Sequence, residues 1–380
     1  MTGRTALPAL AAALALAAVP AAALADEAQP AADPGAAAAA DRARAQQPAD
    51  PVPPTTTAPA PPEQPEQPAP EPRPQPRAQP RRAPRAVGGR IGLSFASGVY
   101  RVGGRTLTVP GRVVRLRGRV VPYVPGQRVR VRIWLGSRLA KQVTVAPKPT
   151  RTKRTATFSA KFTAGRLGAV RAFAIHERTP QQKRLESKAA AVSVVAPSAG
   201  FGTRSPFVQL VQQKLAALGF AVPRSGVYDG GTGRAVEAYR KVLGVARLQT
   251  LDGAVVDRLL RGQGRFKVRY PQHGRHVEAN LSQQVLALIE NGRVLRAYTT
   301  SSGAAATPTV LGTYRFYWKD PGTNEKGMVH SSYFIRGYAI HGYASVPTHP
   351  ASHGCLRVPI PDALGIFNWI RVGDQIDVYY

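Results

Sequence analysis

The chain has 380 residues, more than one compact core accommodates, so length alone predicts two or three domains. Its formal net charge is +31, from 52 Lys/Arg and 21 Asp/Glu, and a single cysteine excludes an internal disulfide. The excess charge is concentrated: residues 90–196 hold 23 Lys/Arg against 2 Asp/Glu, a net +21, whereas residues 1–89 balance at 8 and 8 and the segments 197–264 and 265–380 carry +5 each.

The first 25 residues read as a signal peptide. Arg4 supplies the positive start, Ala6 to Ala18 is almost unbroken apolar chain, and Ala23-Leu24-Ala25 has the small-x-small form of a cleavage site before Asp26. The rival reading, a short retained anchor, is disfavoured by the brevity of the stretch and its Ala-rich composition. No later segment offers roughly twenty continuous apolar residues, so the processed protein is expected to have no transmembrane segment and to reside in the cell wall or periplasm, or to be secreted. Residues 26–89 are Pro, Ala, Gln and Glu with almost no large apolar side chain, the composition of a disordered Pro/Ala-rich linker.

Residues 90–196 alternate apolar and polar side chains with period two. Arg128-Val129-Arg130-Val131-Arg132-Ile133 and Phe158-Ser159-Ala160-Lys161-Phe162 are the clearest runs, with further candidates at 112–121, 170–175 and 191–195. Several short strands between Gly/Pro turns predict an immunoglobulin-like β-sandwich. Arginine takes many outward positions. That face either keeps the sheet soluble or binds an anionic wall polymer, and export with no nucleic-acid motif argues against a nucleic-acid partner.

Residues 205–262 switch to helical spacing. Val208, Val211, Leu215 and Leu218 share one face and Gly219 follows as a stop; Val236, Tyr239 and Leu243 form a second face, and Val256, Leu259 and Leu260 a third. The result is a small all-α three-helix bundle. It resembles the three-helix peptidoglycan-binding domain through Leu215-x2-Leu218-Gly219-Phe220, Asp229-Gly230 and Thr232-x2-Ala235-Val236-x2-Tyr239. The resemblance implies a wall-glycan or stem-peptide partner; the alternative is a helical spacer.

From residue 265 to 380 strand patterns return, at 277–281, 284–289, 294–300, 312–318 and 376–380, with Glu290-Asn291-Gly292-Arg293 as a hairpin turn and one helix over 361–370. Within this mainly β domain lies Ser352-His353-Gly354-Cys355-Leu356-Arg357. A lone thiol outside the cytosol is reactive or accidental, and reactivity needs a base, a cation or backbone donors beside it. Candidate bases are His330, His341, His349 and His353. His341 follows the apolar run Tyr338-Ala339-Ile340 and precedes Gly342, a strand end opening into a loop, which favours it over the adjacent His353. Gly354 permits a tight turn that leaves amides free for an oxyanion, and Arg357 adds a cation. The spacing His349-x3-His353-x-Cys355 could suggest zinc, but Pro350 opposes a helix presenting both histidines and no carboxylate joins them, so no metal or other cofactor is expected.

Taken together, Ile340-His341-Gly342 and Ser352-His353-Gly354-Cys355-Leu356-Arg357-Val358 resemble the signature of the L,D-transpeptidase (YkuD-like) catalytic domain, and Thr307-Pro308-x3-Gly312-x-Tyr314 resembles its upstream Thr-Pro-x3-Gly-x-aromatic element. The 14-residue interval from His341 to Cys355 is short for the family, and Leu356 stands where Val or Ile is commoner. The resemblance implies that Cys355 is the nucleophile and His341 the base, oriented by the Gly342 carbonyl. It also implies an oxyanion hole from the amides of His353, Gly354 and Cys355, with Ser352 and Arg357 shaping the site. The implied reaction releases D-Ala from a peptidoglycan tetrapeptide and transfers the acyl group to an amine of a second stem. Hydrolysis of the same thioester, an L,D-carboxypeptidase activity, and a non-catalytic wall-binding role are the alternatives.

Overall fold

A computed structural model describes residues 85–380, which lie within one compact unit. The predicted signal peptide (1–25) and all but the last five residues of the predicted 26–89 linker fall outside the described residues. Those last five include ordered chain: the Val87 N–H donates to the Gln181 carbonyl and the Val87 carbonyl accepts from Lys183, both at 2.9 Å. Ordered backbone therefore starts inside the predicted linker.

Residues 90–194 form β1 (Arg90–Ser97), β2 (Tyr100–Val102), β3 (Arg105–Thr108), β4 (Val113–Val121), β5 (Val129–Leu135), β6 (Arg138–Val145), β7 (Lys148–Pro149), β8 (Ala156–Thr163), β9 (Gly168–His176), β10 (Leu185–Glu186) and β11 (Ala190–Val194). One sheet runs β1-β4-β8-β7 and the other β2-β3-β11-β9-β5-β6, with β10 paired to β9. Alternation does the sorting: Val114, Leu116 and Val120 of β4 face Val129, Val131 and Ile133 of β5 across one core, while Arg115, Arg117 and Arg119 are exposed. The strands that period-two reading missed have physical reasons for being illegible. β6 is an edge strand exposed along most of its length, and β1 carries Gly92, Ser94 and a bulge after Phe95.

The helices are α1 (Pro206–Ala217), α2 (Gly230–Val242) and α3 (Gly253–Leu260). Each starts at a side-chain cap: Ser205, Asp229 and Asp252 accept the N–H of Val208, Thr232 and Val255 at 3.2, 2.8 and 2.9 Å. Such a cap typically contributes about 1 kcal/mol. The predicted apolar faces are buried, with Leu243 only partly so. One helix-face position ran against its residue type. Gln212 is buried and stitches the preceding turn to α2 through Val227, Gly226 and Thr232.

The remaining chain forms β12 (His276–Asn280), β13 (Val285–Glu290), β14 (Arg293–Thr299), β15 (Gly312–Arg315), β16 (Trp318–Thr323), β17 (Val329–Ile335), β18 (Tyr338–Tyr343), β19 (Leu356–Pro359), α4 (Ile360–Trp369) and β20 (Gln375–Tyr379). The sheets are β14-β13-β12-β20-β15 and β16-β17-β18-β19, packed around Val277, Leu286, Ile340, Leu356, Val358 and Ile366. The Asn291-Gly292 turn stands as predicted, both residues at positive φ. The single strand expected over 312–318 is two. β15 pairs with β20, the buried Phe316 drops into the core, and β16 leaves to pair with β17, so the chain changes sheet where one continuous pattern was read.

The three ordered segments are not beads on a string. One hydrophobic core runs from Tyr100, Val102 and Leu107 of β2–β3 through all three helices to Val285, Ala287, Ile289 and Ala297 of β13–β14. Backbone bonds join Ala297 to Gly219 and Ala221 at 2.7 and 3.0 Å, and Arg234 of α2 grips Asp362 of α4 with two bonds of 2.8 and 3.0 Å. No helix among the described residues is long and apolar enough to cross a membrane.

Candidate active site

β18 and β19 run parallel, pairing His341 with Arg357 and Gly342 with Val358. This register brings the two sequence motifs side by side. His341, Ser352, His353, Cys355 and Arg357 line one cleft of about 360 Å³ together with Lys326, Met328, Gly337 and Tyr343. His341 lies inside β18, two residues before its end, rather than at the strand terminus that sequence suggested. The other candidate bases divide cleanly. His353 is exposed on the turn before Cys355. His330 accepts the Gly322 N–H through Nδ1 and stands beside Phe367, and His349 contributes its backbone carbonyl to Ser301 Oγ. Neither His330 nor His349 lines the cleft.

His341 is buried, and its Nδ1 lies 2.9 Å from the Gly342 carbonyl oxygen. A carbonyl can only accept, so Nδ1 carries the proton and Nε2 holds the free lone pair. The ring meets Tyr343 edge-on at 5.6 Å, and the Arg357 guanidinium lies 4.3 Å from the centroid of that same Tyr343 ring, so one aromatic side chain contacts both. Gly342 is required by close approach: a Cβ there would stand 2.8 Å from Ala363 Cβ and 3.2 Å from Val329 Cβ, where α4 packs on β18.

The thiol lies half-buried among Met328, Tyr333 and Ala339. Burial pushes its pKa above the ordinary 9.0, opposed by the Ala339 amide and by the charges of Arg357 and Lys326. Burial likewise lowers His341 below the ordinary 6.5, against the Gly342 bond and with a further push down from Arg357. Both shifts disfavour charge, the thiol over the thiolate and the neutral imidazole over the imidazolium, and the thiol donates to the Gly337 carbonyl at 3.7 Å.

Ser352 is the brace of the cysteine turn. Its buried Oγ donates to the Cys355 carbonyl at 2.6 Å and accepts the Gly354 N–H at 3.0 Å, so the Gly354 amide is already engaged. Gly354 has φ +110°, and a Cβ would sit 2.1 Å from Tyr338 Cε1. From the other side Thr307 Oγ1 donates to the Ser352 carbonyl at 2.9 Å, which gives the upstream Thr-Pro element a structural role. Ser352→Ala removes two bonds at a buried position and is expected to cost about 1–3 kcal/mol, read as a lowered denaturation midpoint. Sequence reasoning missed Lys326, Tyr338 and Tyr343. Lys326 sits in a polar turn 29 residues before the cysteine, and no local pattern marks it. Among the described residues no group of three His, Cys, Asp or Glu side chains is arranged to hold a metal ion.

Residues 274–378 match the family described as YkuD, L,D-transpeptidase catalytic domain. Among solved structures the chain is similar to an L,D-transpeptidase from Xylanimonas cellulosilytica, with 31% identity, a TM-score of 0.45, and coverage of 48% of this chain and 97% of that one. It is also similar to an L,D-transpeptidase from Stackebrandtia nassauensis, with 18% identity, a TM-score of 0.32, and coverage of 48% and 95%. The catalytic domain of the Enterococcus faecium L,D-transpeptidase aligns at 21% identity and a TM-score of 0.26, covering 28% of this chain and 98% of that one. No curated protein matches the chain. The chain belongs to the L,D-transpeptidase (YkuD) family, whose catalytic domain it carries at residues 274–378.

Proposed function

We propose that the protein is an exported L,D-transpeptidase that cross-links peptidoglycan through a thioester on Cys355. The supporting observation is the His341 Nδ1–Gly342 bond in the cleft that also holds Cys355, since it presents Nε2 as a base. In the acylation step His341 Nε2 takes the thiol proton as sulfur attacks the carbonyl preceding a terminal D-Ala. The His353 and Cys355 amides hold the oxyanion, because the Gly354 amide is engaged by Ser352. The C–N bond then breaks, His341 returns the proton to the departing D-Ala amine, and the acyl group stays on sulfur. An amine of a second stem attacks the thioester, His341 accepts its proton, and the thiol reforms. Atoms balance without a metal or other cofactor.

Arg357 and Lys326 give the cleft a positive potential suited to a stem-peptide carboxylate. The helical segment 205–262 serves as the peptidoglycan-binding module, and the 90–196 sandwich, of immunoglobulin-like type, contacts anionic wall polymers while the part of the linker before residue 85 spans the wall. Incubating the protein with tetrapeptide muropeptides and weighing the products tests the chemistry. Dimers lighter than two monomers by one D-Ala, absent with Cys355→Ala, are expected. Monomers shortened by one D-Ala, with no dimers, would assign a carboxypeptidase instead. Unchanged cross-linking by Cys355→Ala would remove the thioester.

A further inference from the structure

The sandwich distributes its charge unevenly between its two sheets. Its two carboxylates, Glu177 and Glu186, both belong to the second sheet, one following β9 and the other on β10. There they pair with Arg130 and Arg184, at 3.3 Å for Arg130–Glu177 and 2.8 Å for Arg184–Glu186. The β1-β4-β8 face has no such partners. Arg115, Arg117 and Arg119 stand exposed at every second position of its central strand, and none has a carboxylate partner among the described residues. At about 3.4 Å per residue the guanidinium stems repeat every ~7 Å along a straight row.

The neighbours on both sides keep that row open. Register sets Gly92, Ser94 and Ser97 of β1 beside Arg119, Arg117 and Arg115, and Thr157, Ser159 and Lys161 of β8 on the other flank. These are mostly short side chains, several with hydroxyl donors, that do not cover the guanidiniums. Lys161 lies directly opposite Arg115, a like-charge cross-strand pair that destabilises the bare sheet. An anion laid along the row would offset that repulsion.

We propose that this face binds a linear phosphodiester polymer of the cell wall, its successive phosphates seated on Arg119, Arg117 and Arg115. The proposal rests on the exported-enzyme reading only for the compartment. Arginine forks match phosphate oxygens bidentately, and a repeating row suits a repeating charge. A membrane surface calls for large apolar or aromatic anchors, and a nucleic acid for stacking rings; the positions flanking this row sideways are Gly, Ser, Thr and Lys, and on β4 itself the row is bounded by the short side chains of the exposed Val113 and Val121.

The test measures binding of the full chain to soluble poly(glycerol phosphate) across a salt series. The triple variant R115Q/R117Q/R119Q is expected to bind roughly 10- to 100-fold more weakly at about 0.15 M salt, with a log–log salt slope shallower by about 2, the value for three single-strand-like phosphate contacts. A charge-matched control on the second sheet, R101Q/R105Q/R171Q, should change affinity by less than about threefold. Equal loss in the control would overturn the site, leaving only net charge. Equal binding of polyglutamate would overturn the phosphodiester assignment, and binding of phosphatidylglycerol vesicles without the polymer would reassign the face to a membrane. D-Ala release from a soluble tetrapeptide separates the two readings. A triple variant that releases D-Ala normally is folded, so unaltered polymer binding by it refutes the row alone, whereas no release by the parent protein refutes the catalytic reading alone.

Discussion

Cys355→Ala is expected to abolish D-Ala release, and His341→Ala to lower its rate by about 10²–10⁴-fold, the range for a positioned general acid–base group. The two losses arise differently. Without the thiol no acyl-enzyme forms, whereas without His341 the burial-raised thiol must ionise unaided before it can attack. The protonation states fix the pH profile. Activity needs His341 neutral, and its pKa lies below 6.5 because of burial, so the acid limb of kcat/KM falls below pH 6.5. Arg357→Gln removes a positive charge that depresses His341, so the acid limb moves upward. The same change removes a charge that favours the thiolate, so the Cys355 pKa rises further. Iodoacetamide labelling of the single cysteine against pH reads that second shift directly. A labelling midpoint below neutral pH, the mark of a thiolate–imidazolium pair, would contradict the neutral pair proposed for the resting site.

Much of the site was legible because its chemistry is local. Ser352, Gly354 and Cys355 lie within one turn whose geometry Gly354 dictates, and the pairing of β18 with β19 joins that turn to His341-Gly342. What closes the cleft was not legible. Tyr338 packs on Gly354, Tyr343 contacts His341 and Arg357, and Lys326 reaches in from a turn; each acts through tertiary contacts that leave no periodic trace. The same limit applies to the fold. Period two located the strands with one face buried, but missed the exposed β6, and it could not tell that Phe316 marks a change of sheet. The helical faces were read correctly as apolar. That the surrounding core also takes in β2–β3 and β13–β14 depends on which surfaces meet, and composition carries no record of that.

Lys241→Met is expected to destabilise the folded chain by about 3–5 kcal/mol, the cost of breaking a buried ion pair from one side. Lys241 looks like an ordinary solvated residue near the end of a helix. Instead its ammonium is fully buried between α2 and β14, 3.0 Å from Glu237 Oε1 and 3.2 Å from the Thr300 carbonyl, with Thr299 Oγ1 as a third partner. Burial pulls its pKa down and the Glu237 charge pulls it back up. Removing the ammonium strands Glu237, whose remaining donors are Thr299 Oγ1 at 2.5 Å and Gln249 Nε2 at 2.9 Å. The double variant Lys241→Met/Glu237→Leu, which strands no charge, should recover most of the loss in a denaturant titration. The consequence reaches the cleft. Thr300 Oγ1 donates to the Arg357 carbonyl at 2.8 Å, and Ser301 exchanges two backbone bonds with Arg357, two residues beyond the thiol. The helical segment thus holds the strand that holds the cysteine turn. D-Ala release by Lys241→Met should fall even at temperatures where the chain remains folded, while the double variant regains stability without regaining the bond to Thr300. Parental activity in both variants would show that the helices and the cysteine turn are energetically independent.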